Sequence, residues 1–206
     1  MENVVTNSIM ADYQDRWEKN ATVRSRPRRR LKIEDTEGGY FYPMSRQPLC
    51  THSLVRAGGH RVSEYILIQS LYKYSHDIAI TETEIVNRST LAIVSGNLPI
   101  YFDYYYRLDA LTVIVDEAYH AYVAMDCLNQ VREHTGIEPL PMKNEIELSK
   151  AINMIKQELE TKYHTCFELV AVCIAENTLT KEIVDLQNED GTNPFFRNIM
   201  QDHLSD

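Results

Sequence analysis

Apolar residues recur at helical spacing along most of the chain after residue 60. From about Arg61 one apolar face continues until Gly96, with Pro99 just beyond, and both residues end helices readily. The spacing predicts one long helix, with room for a kink, whose inward face consists of Ile66, Leu71, Tyr74, Ile78, Ile85 and Leu91.

Two more helical stretches follow. The first is predicted from about Pro99 to Thr135, because Gly136 and two nearby prolines then break the pattern. The second extends from near Asn144 to Asn188, which at 1.5 Å per residue is too long for one straight helix in a compact domain. We therefore expect an interruption around residues 161–165.

A last helix is predicted at the C-terminal end of the sequence. The run Glu-Asp-Gly-Thr-Asn-Pro at 189–194 is typical of a turn, and it places Asn193 as the N-cap and Pro194 at the first helical position. No stretch shows the period-two alternation of a convincing strand. Long helices joined by short breaks predict an all-α helical bundle.

Composition agrees with an ordinary globular chain. Of 206 residues, 44% are hydrophobic and 25% are charged, which argues against disorder. Only 7 glycines and 7 prolines are present, too few for the many turns of a β-sandwich. The longest uninterrupted apolar run, Leu169 to Ala175, is far too short to span a membrane. The net charge of −9 argues against nucleic-acid binding by charge alone.

Charge is distributed unevenly along the chain. Residues 1–32 carry eight Lys and Arg against four Asp and Glu, whereas the remainder carries 13 against 26. We divide the chain into a basic N-terminal arm, residues 1–58, and a helical bundle, residues 59–206. We expect the arm to lie on the acidic body, although a nuclear signal or an anionic-partner patch is an alternative. The arginines concerned are Arg24, Arg26, Arg28, Arg29 and Arg30.

The N-terminus and the cysteines indicate the cellular compartment. No basic segment followed by an apolar segment marks the N-terminus for secretion. The four cysteines show neither a CxxC pair nor zinc-type spacing with histidine, so we expect reduced thiols. Both observations favour a cytoplasmic protein.

Acidic and imidazole side chains occur inside the apolar helical stretches. Glu117 and His120 are three residues apart, which places them on one helix face between apolar neighbours. Glu176 follows the most apolar segment of the chain and shares a face with Val172 and Leu179 or Ile183. A buried carboxylate costs several kcal/mol unless it is paired or bound to metal.

The first helix supplies a further acid. Glu82 shares the apolar stripe of Leu71, Ile78 and Ile85, whereas Glu84 is turned about 200° away, so Glu82 is the better inward candidate. A surface salt bridge is the ordinary alternative for each acid, and a single Glu-x-x-His arises often by chance. Two interpretations stay open for the aromatic residues at 101–106. They either line a substrate pocket or carry a radical, or they pack at the start of a helix or form a dimer face.

The ordered set of these residues resembles the p-aminobenzoate N-oxygenase family of non-haem di-iron enzymes. The order is Glu, Glu-x-x-His, Glu, His, with 35 residues from Glu82 to Glu117 and 27 from Glu176 to His203. The family's last ligand helix carries His-x-x-x-Glu-x-x-His, usually with Asp before the Glu, and His203 and Asp206 match its opening. The next Glu and His would fall at positions 207 and 210.

This resemblance implies a ferritin-like bundle that binds two iron ions through Glu82, Glu117, His120, Glu176 and His203. It implies use of O₂ to oxygenate an arylamine nitrogen towards hydroxylamine, nitroso and nitro products, and it implies a possible homodimer. Because no flavin or nicotinamide motif is visible, electrons would come from a partner protein or a diffusible reductant. We expect the chain to be an N-terminal portion of a longer protein, with the last ligand-bearing helix incomplete and the 206-residue form inactive.

Two other interpretations stay open. One is a ferritin-like iron-binding oxidase or storage protein, which needs no organic pocket. The other is a non-catalytic helical fragment whose acidic side chains are merely solvated. The true substrate, the extent of oxidation, the reductant and the oligomeric state are not decided by the sequence.

Overall fold

The computed structural model describes residues 13–204, and over this range the protein is an all-α helical bundle, as predicted. Within the described range no strand occurs; residues Tyr40 and Thr192 form one isolated bridge. None of the described helices is long and apolar enough to cross a membrane. The six longer helices are α1 (His60–Ile80), α2 (Asn87–Ser95), α3 (Tyr104–Thr135), α4 (Glu147–Gln157), α5 (His164–Gln187) and α6 (Pro194–His203).

Helices α1 and α2 form the long first helix that the sequence predicts, joined by one turn of π-helix. The wider turn covers Thr81–Val86, where the backbone N–H of Asn87 donates to the carbonyl of Glu82. Gly96, at φ 69°, ends α2 in the left-handed conformation that glycine adopts without strain. The prediction for Leu91 was wrong: it is 51% exposed, because six residues at 100° each place it about 120° away from the buried Ile85.

Helix α3 begins five residues later than predicted. The Asp103 carboxylate accepts hydrogen bonds from the backbone N–H groups of Tyr105 and Tyr106 at 3.0 and 3.2 Å, so this N-cap fixes the start of the helix instead of Pro99. Gly136, at φ 67°, ends α3 as expected. The helix therefore has 32 residues, the longest in the described range.

The predicted interruption of the next stretch is confirmed. Helix α4 ends at Gln157, a short 3₁₀ turn covers Thr161–Tyr163, and α5 begins at His164. The N-cap of α6 is also confirmed, because the Asn193 side chain accepts from the backbone N–H of Phe196 at 2.9 Å. Pro194 takes the first helical position, where its missing N–H is not needed.

Two hydrophobic clusters make up the interior, one towards each end of the bundle. The larger cluster includes Leu71, Cys127 and Ile183, and the smaller one includes Ile85 and Val172. Along the α1–α2 segment, α3 and α5 alike, the acidic and imidazole residues of interest lie between positions that belong to these clusters. The candidate site is therefore enclosed by hydrocarbon above and below.

The residues that precede α1 pack along the bundle. Helical residues 13–20 and Thr22–Ser25, three 3₁₀ turns (Ile33–Thr36, Met44–Arg46 and Pro48–Thr51) and a short helix (Ser53–Ala57) lie in this segment. Phe41 belongs to the larger hydrophobic cluster. Arg28 forms a two-pronged ion pair with Asp126, and Arg29 forms one with Asp202, so this basic segment lies on acidic groups of α3 and α6.

Candidate metal centre

Glu82 lies in the π turn between α1 and α2 and is 1% exposed. Its Oε2 atom has no hydrogen-bond partner. Glu84, two residues on in the same turn, is exposed. The choice of Glu82 as the inward acid agrees with this burial. π turns often occur at functional sites, because the wider turn redirects side chains towards a ligand.

Glu117 and His120 share the inward face of α3, as their spacing predicts. His120 is buried, and its Nδ1 atom lies 2.9 Å from Oε2 of Glu117. A hydrogen bond at Nδ1 orients the ring and makes Nε2 the nitrogen that a metal would take. Glu117 is therefore placed either to bind a metal directly or to orient His120.

Glu176 lies on α5 at the level of the other acids. Val172 and Ile183 on the same helix are buried, so this face points inward as the sequence predicts. The Oε1 atom of Glu176 has no hydrogen-bond partner. Glu168, two turns earlier on α5, instead pairs with Lys156 and Arg88 and takes no part in the cluster.

His203, near the end of α6, lies against His120. The two imidazole rings are stacked with centroids 4.0 Å apart and an interplanar angle of 19°. Asp202, the preceding residue, pairs with Arg26 and Arg29 of the N-terminal segment. These ion pairs and the Asn193 cap hold α6 in place, so they fix the position of the His203 ring.

Three of the five predicted ligands meet closely. One atom each from Glu82, His120 and His203 lies within 4.8 Å of the other two. A single ion with bonds of about 2.1 Å keeps its ligand atoms within about 4.2 Å, so small side-chain rotations bring these three into range. Glu117 and Glu176 lie outside this group of three but interact with it electrostatically.

Burial and mutual repulsion disfavour ionised carboxylates here. Burial first, and then the charges of Glu117 and Glu176, raise the pKa of Glu82 to about 10. Burial and then the charge of Glu117 raise the pKa of Glu176 to about 7, with His120 acting in the opposite direction. A divalent cation would lower the pKa values of both carboxyl groups, because its charge stabilises the ionised carboxylates that it binds.

A small cavity borders the cluster. Its volume is about 40 Å³, enough for one or two water molecules or a diatomic gas but not for an aromatic ring. Its wall includes both imidazoles, His120 and His203, together with Tyr74, Tyr119 and Arg29. Burial raises the pKa of Tyr74 far above its ordinary value, so this phenol stays protonated.

The hydrogen bond between Trp17 and Asp116, beside the site, was not predicted from the sequence. The indole N–H of Trp17 donates to Oδ2 of Asp116 at 2.6 Å, and Asp116 directly precedes Glu117. These residues are 99 positions apart, so no local pattern indicates their contact. The only available signal was Asp116 itself, an acid inside an apolar stretch.

The remaining sequence-based predictions have mixed outcomes. Asp206, which together with His203 matches the opening of the family motif, lies outside the described residues. Tyr101 and Tyr104 are 79% and 83% exposed, whereas the rings of Phe102 and Tyr106 pack edge to face at the start of α3 with centroids 6.1 Å apart. All four cysteines are free. No family model matches the chain, and no curated protein matches it.

Proposed function

We propose that this protein is a non-haem di-iron oxygenase that uses O₂ to N-oxygenate an arylamine, as the resemblance to the p-aminobenzoate N-oxygenase family implies. The observation that supports the proposal is the burial of Glu82, a carboxylate 1% exposed, among two further carboxylates and two imidazoles. Such a cluster is unfavourable without a cation and favourable with one.

The donor set fits iron. Carboxylates and imidazoles bind divalent first-row metals, and carboxylates bridge two ions that lie 3.5–4 Å apart. In the proposal Glu82, His120 and His203 hold metal directly, and Glu117 and Glu176 complete the set. Two bound ferrous ions would supply the two electrons that the reduction of O₂ to the peroxide level requires. The electrons that restore the reduced state come from a partner protein or a diffusible donor.

The protein's own residues contribute orientation and a dry environment. Glu117 fixes the tautomer of His120 through Nδ1. The hydrophobic clusters on both sides of the acids keep bulk water away from the buried carboxylates. The free cysteines fit a reducing compartment, so the proposal places the reaction in the cytoplasm.

Iron content tests the proposal first. The purified chain is loaded anaerobically with Fe(II), desalted and analysed for metal by mass spectrometry, in parallel with Glu82→Ala, His120→Ala and Glu84→Ala. We expect the wild type and Glu84→Ala, the control for the same turn, to retain equal amounts of iron. Glu82→Ala and His120→Ala should lose most of the metal. Equal metal in all four proteins would refute the site.

Turnover tests the reaction. The chain, extended so that Glu and His occupy positions 207 and 210, is loaded with iron and supplied with a reductant, O₂ and 4-aminobenzoate, and the hydroxylamine, nitroso and nitro products are quantified by chromatography. Product formation that depends on iron and is lost in Glu82→Ala supports the N-oxygenase. Iron binding without any oxygenated amine would refute the arylamine reaction while leaving the metal site intact.

A ferritin-like iron oxidase is the second candidate, and the size of the cavity favours it. A space of about 40 Å³ accommodates O₂ but not an aromatic ring, which needs roughly 150 Å³. This candidate predicts rapid O₂-dependent oxidation of added Fe(II), cage-type assembly in native mass measurements and no change in rate when 4-aminobenzoate is present. The oxygenase predicts instead that the rate of O₂ consumption changes when 4-aminobenzoate is added.

A further inference from the structure

One wall of the cavity beside the two imidazoles is formed by a short basic segment, residues 26–30, which we call the cover. Arg26, Pro27, Arg28 and Arg29 line the cavity from this side. The other walls belong mainly to α1, α3 and α6, and these three helices pack together through the larger hydrophobic cluster. The cover is therefore the wall that can move without disturbing the core.

Both ends of the cover are anchored on the bundle. On the N-terminal side, Ala21 and Thr22 are each 2% exposed. On the C-terminal side, Leu31 packs against the larger hydrophobic cluster, and its backbone N–H donates to Oε1 of Gln130 at 2.7 Å. The five residues between these anchors can thus leave the cavity while the chain on either side stays in place.

Between its anchors the cover has few of the contacts that make a segment rigid. Within the described part of the chain, residues 27–31 make no backbone–backbone hydrogen bond, and no residue of the cover belongs to either hydrophobic cluster. The Gln130 side chain donates to the carbonyl of Arg29 at 2.9 Å. Segments with so few buried apolar contacts and backbone bonds are the ones that open locally in a folded protein.

Ion pairs at the surface hold the cover closed. Arg28 contacts Asp126 at 2.5 and 2.8 Å, and Arg29 contacts Asp202 at 2.7 and 2.9 Å, while Arg26 also pairs with Asp202. The side chains of Arg28 and Arg29 are 46% and 35% exposed. Water and dissolved salt weaken such exposed pairs, so they hold the cover only loosely.

We propose that the cover opens in the folded protein, and that this opening is the route by which a molecule larger than O₂ reaches His120 and His203. With the cover closed, the cavity of about 40 Å³ has room only for water or a diatomic gas. In the proposed oxygenase the opening admits the aromatic amine, and that role rests on the proposed function. The opening itself does not depend on metal, so metal-free protein is used to test it.

Two buried cysteines supply a reporter and its control. Cys127 lines the cavity and is 2% exposed, whereas Cys50, 4% exposed, lies on the 3₁₀ turn Pro48–Thr51 away from the cavity. Cys166→Ser and Cys173→Ser remove the two less buried thiols. This parent protein, free of metal, is treated with N-phenylmaleimide, whose ring is as large as that of an aromatic amine. Peptide mass spectrometry then follows the labelling of each cysteine over time.

The aspartates that hold the cover should control labelling at Cys127. Asp126→Asn combined with Asp202→Asn should speed labelling of Cys127 by about 10-fold relative to the parent protein, because two exposed ion pairs are lost. The rate at Cys50 should not change. Glu189→Gln breaks a 2.8 Å ion pair elsewhere in the N-terminal segment and should leave the Cys127 rate unchanged.

Salt gives a second measurement that needs no aspartate variant. Raising NaCl from 50 to 500 mM should speed labelling of Cys127 in the parent protein relative to Cys50, because salt screens the ion pairs of the cover. The same change should have little effect in the double asparagine variant, which lacks those pairs.

Three results would overturn the proposal. The first is an equal rate of Cys127 labelling in the parent protein and the double asparagine variant. The second is a rise at Cys127 that is matched at Cys50, which would show general loosening of the fold. The third is a ratio of the two rates in the parent protein that does not depend on salt, and this result decides the matter if the double variant fails to fold.

Discussion

Replacing Glu82 by glutamine should stabilise the metal-free protein at neutral pH. Glutamine has nearly the shape of a protonated glutamic acid, and its amide can donate to Glu117 as that acid does. The Glu82 carboxyl has its pKa raised from 4.5 to about 10, chiefly by burial and then by Glu117. At pH 7 the folded protein therefore holds a proton that the unfolded chain has released.

The sign and size of the effect follow from proton linkage. Since the folded state binds more protons, the free energy of unfolding decreases as pH rises from 4.5 towards 10. Each pH unit contributes 1.36 kcal/mol, so the 2.5 units between pH 4.5 and pH 7 amount to about 3 kcal/mol. Glu82→Gln lacks this titration. Its gain should be near zero at pH 4.5 and about 3 kcal/mol at pH 7, a rise in Tm of roughly 6–12 °C.

Urea unfolding followed by circular dichroism measures the gain, with protein freed of metal by chelation and dialysis. Glu84→Gln, at the exposed position of the same turn, is the control and should change the unfolding free energy by less than 0.5 kcal/mol at either pH. Addition of Fe(II) or Zn²⁺ should then stabilise the wild type more than Glu82→Gln. Equal stability of wild type and Glu82→Gln at pH 7 without metal would refute the reasoning.

Three further variants test the supports of the site. Asn193→Ala removes the N-cap of α6 and should lower the unfolding free energy by about 1 kcal/mol, whereas Asn177→Ala, at an exposed position, should change it little; equal effects would contradict the cap. Trp17→Phe removes the donor to Asp116 and should cost about 1–3 kcal/mol in urea unfolding; an unchanged midpoint would contradict that hydrogen bond. Asp202→Asn should speed tryptic cleavage in the arginine-rich segment several-fold while changing stability by less than about 1 kcal/mol; an unchanged cleavage rate would show that the ion pairs do not hold this segment.

Local signals allowed much of the fold to be predicted from the sequence. The Asn193 cap, the end of α3 at Gly136 and the interruption before α5 depend on a few neighbouring residues, and all are confirmed. The inward position of Glu82 was predicted from the helical stripe that contains Ile78 and Ile85. The prediction holds at Glu82, which lies four residues from Ile78, and fails at Leu91, which lies about 120° away from Ile85 on the helix.

Non-local contacts could not be predicted in the same way. The Trp17–Asp116 hydrogen bond joins residues 99 positions apart, and chain topology decides it. Helix α3 presented a different difficulty, because both of its faces are largely apolar. Periodicity finds an apolar face but does not say whether a protein's own bundle or another molecule covers it. His120 identifies the inner face of α3 only once Glu82 of the π turn and Glu176 of α5 are seen to lie near it.

The burial of the acidic cluster bears on the third interpretation, a helical protein whose acids are merely solvated. Glu82 is 1% exposed, and unpartnered carboxylate oxygens occur on both Glu82 and Glu176. Apolar side chains at these two positions would join the hydrophobic clusters on either side and would avoid the protonation cost of about 3 kcal/mol at neutral pH. Solvation does not compensate for that cost, because the carboxylates are withdrawn from water. A bound cation would compensate for it, because it stabilises the charged form of every carboxylate it contacts.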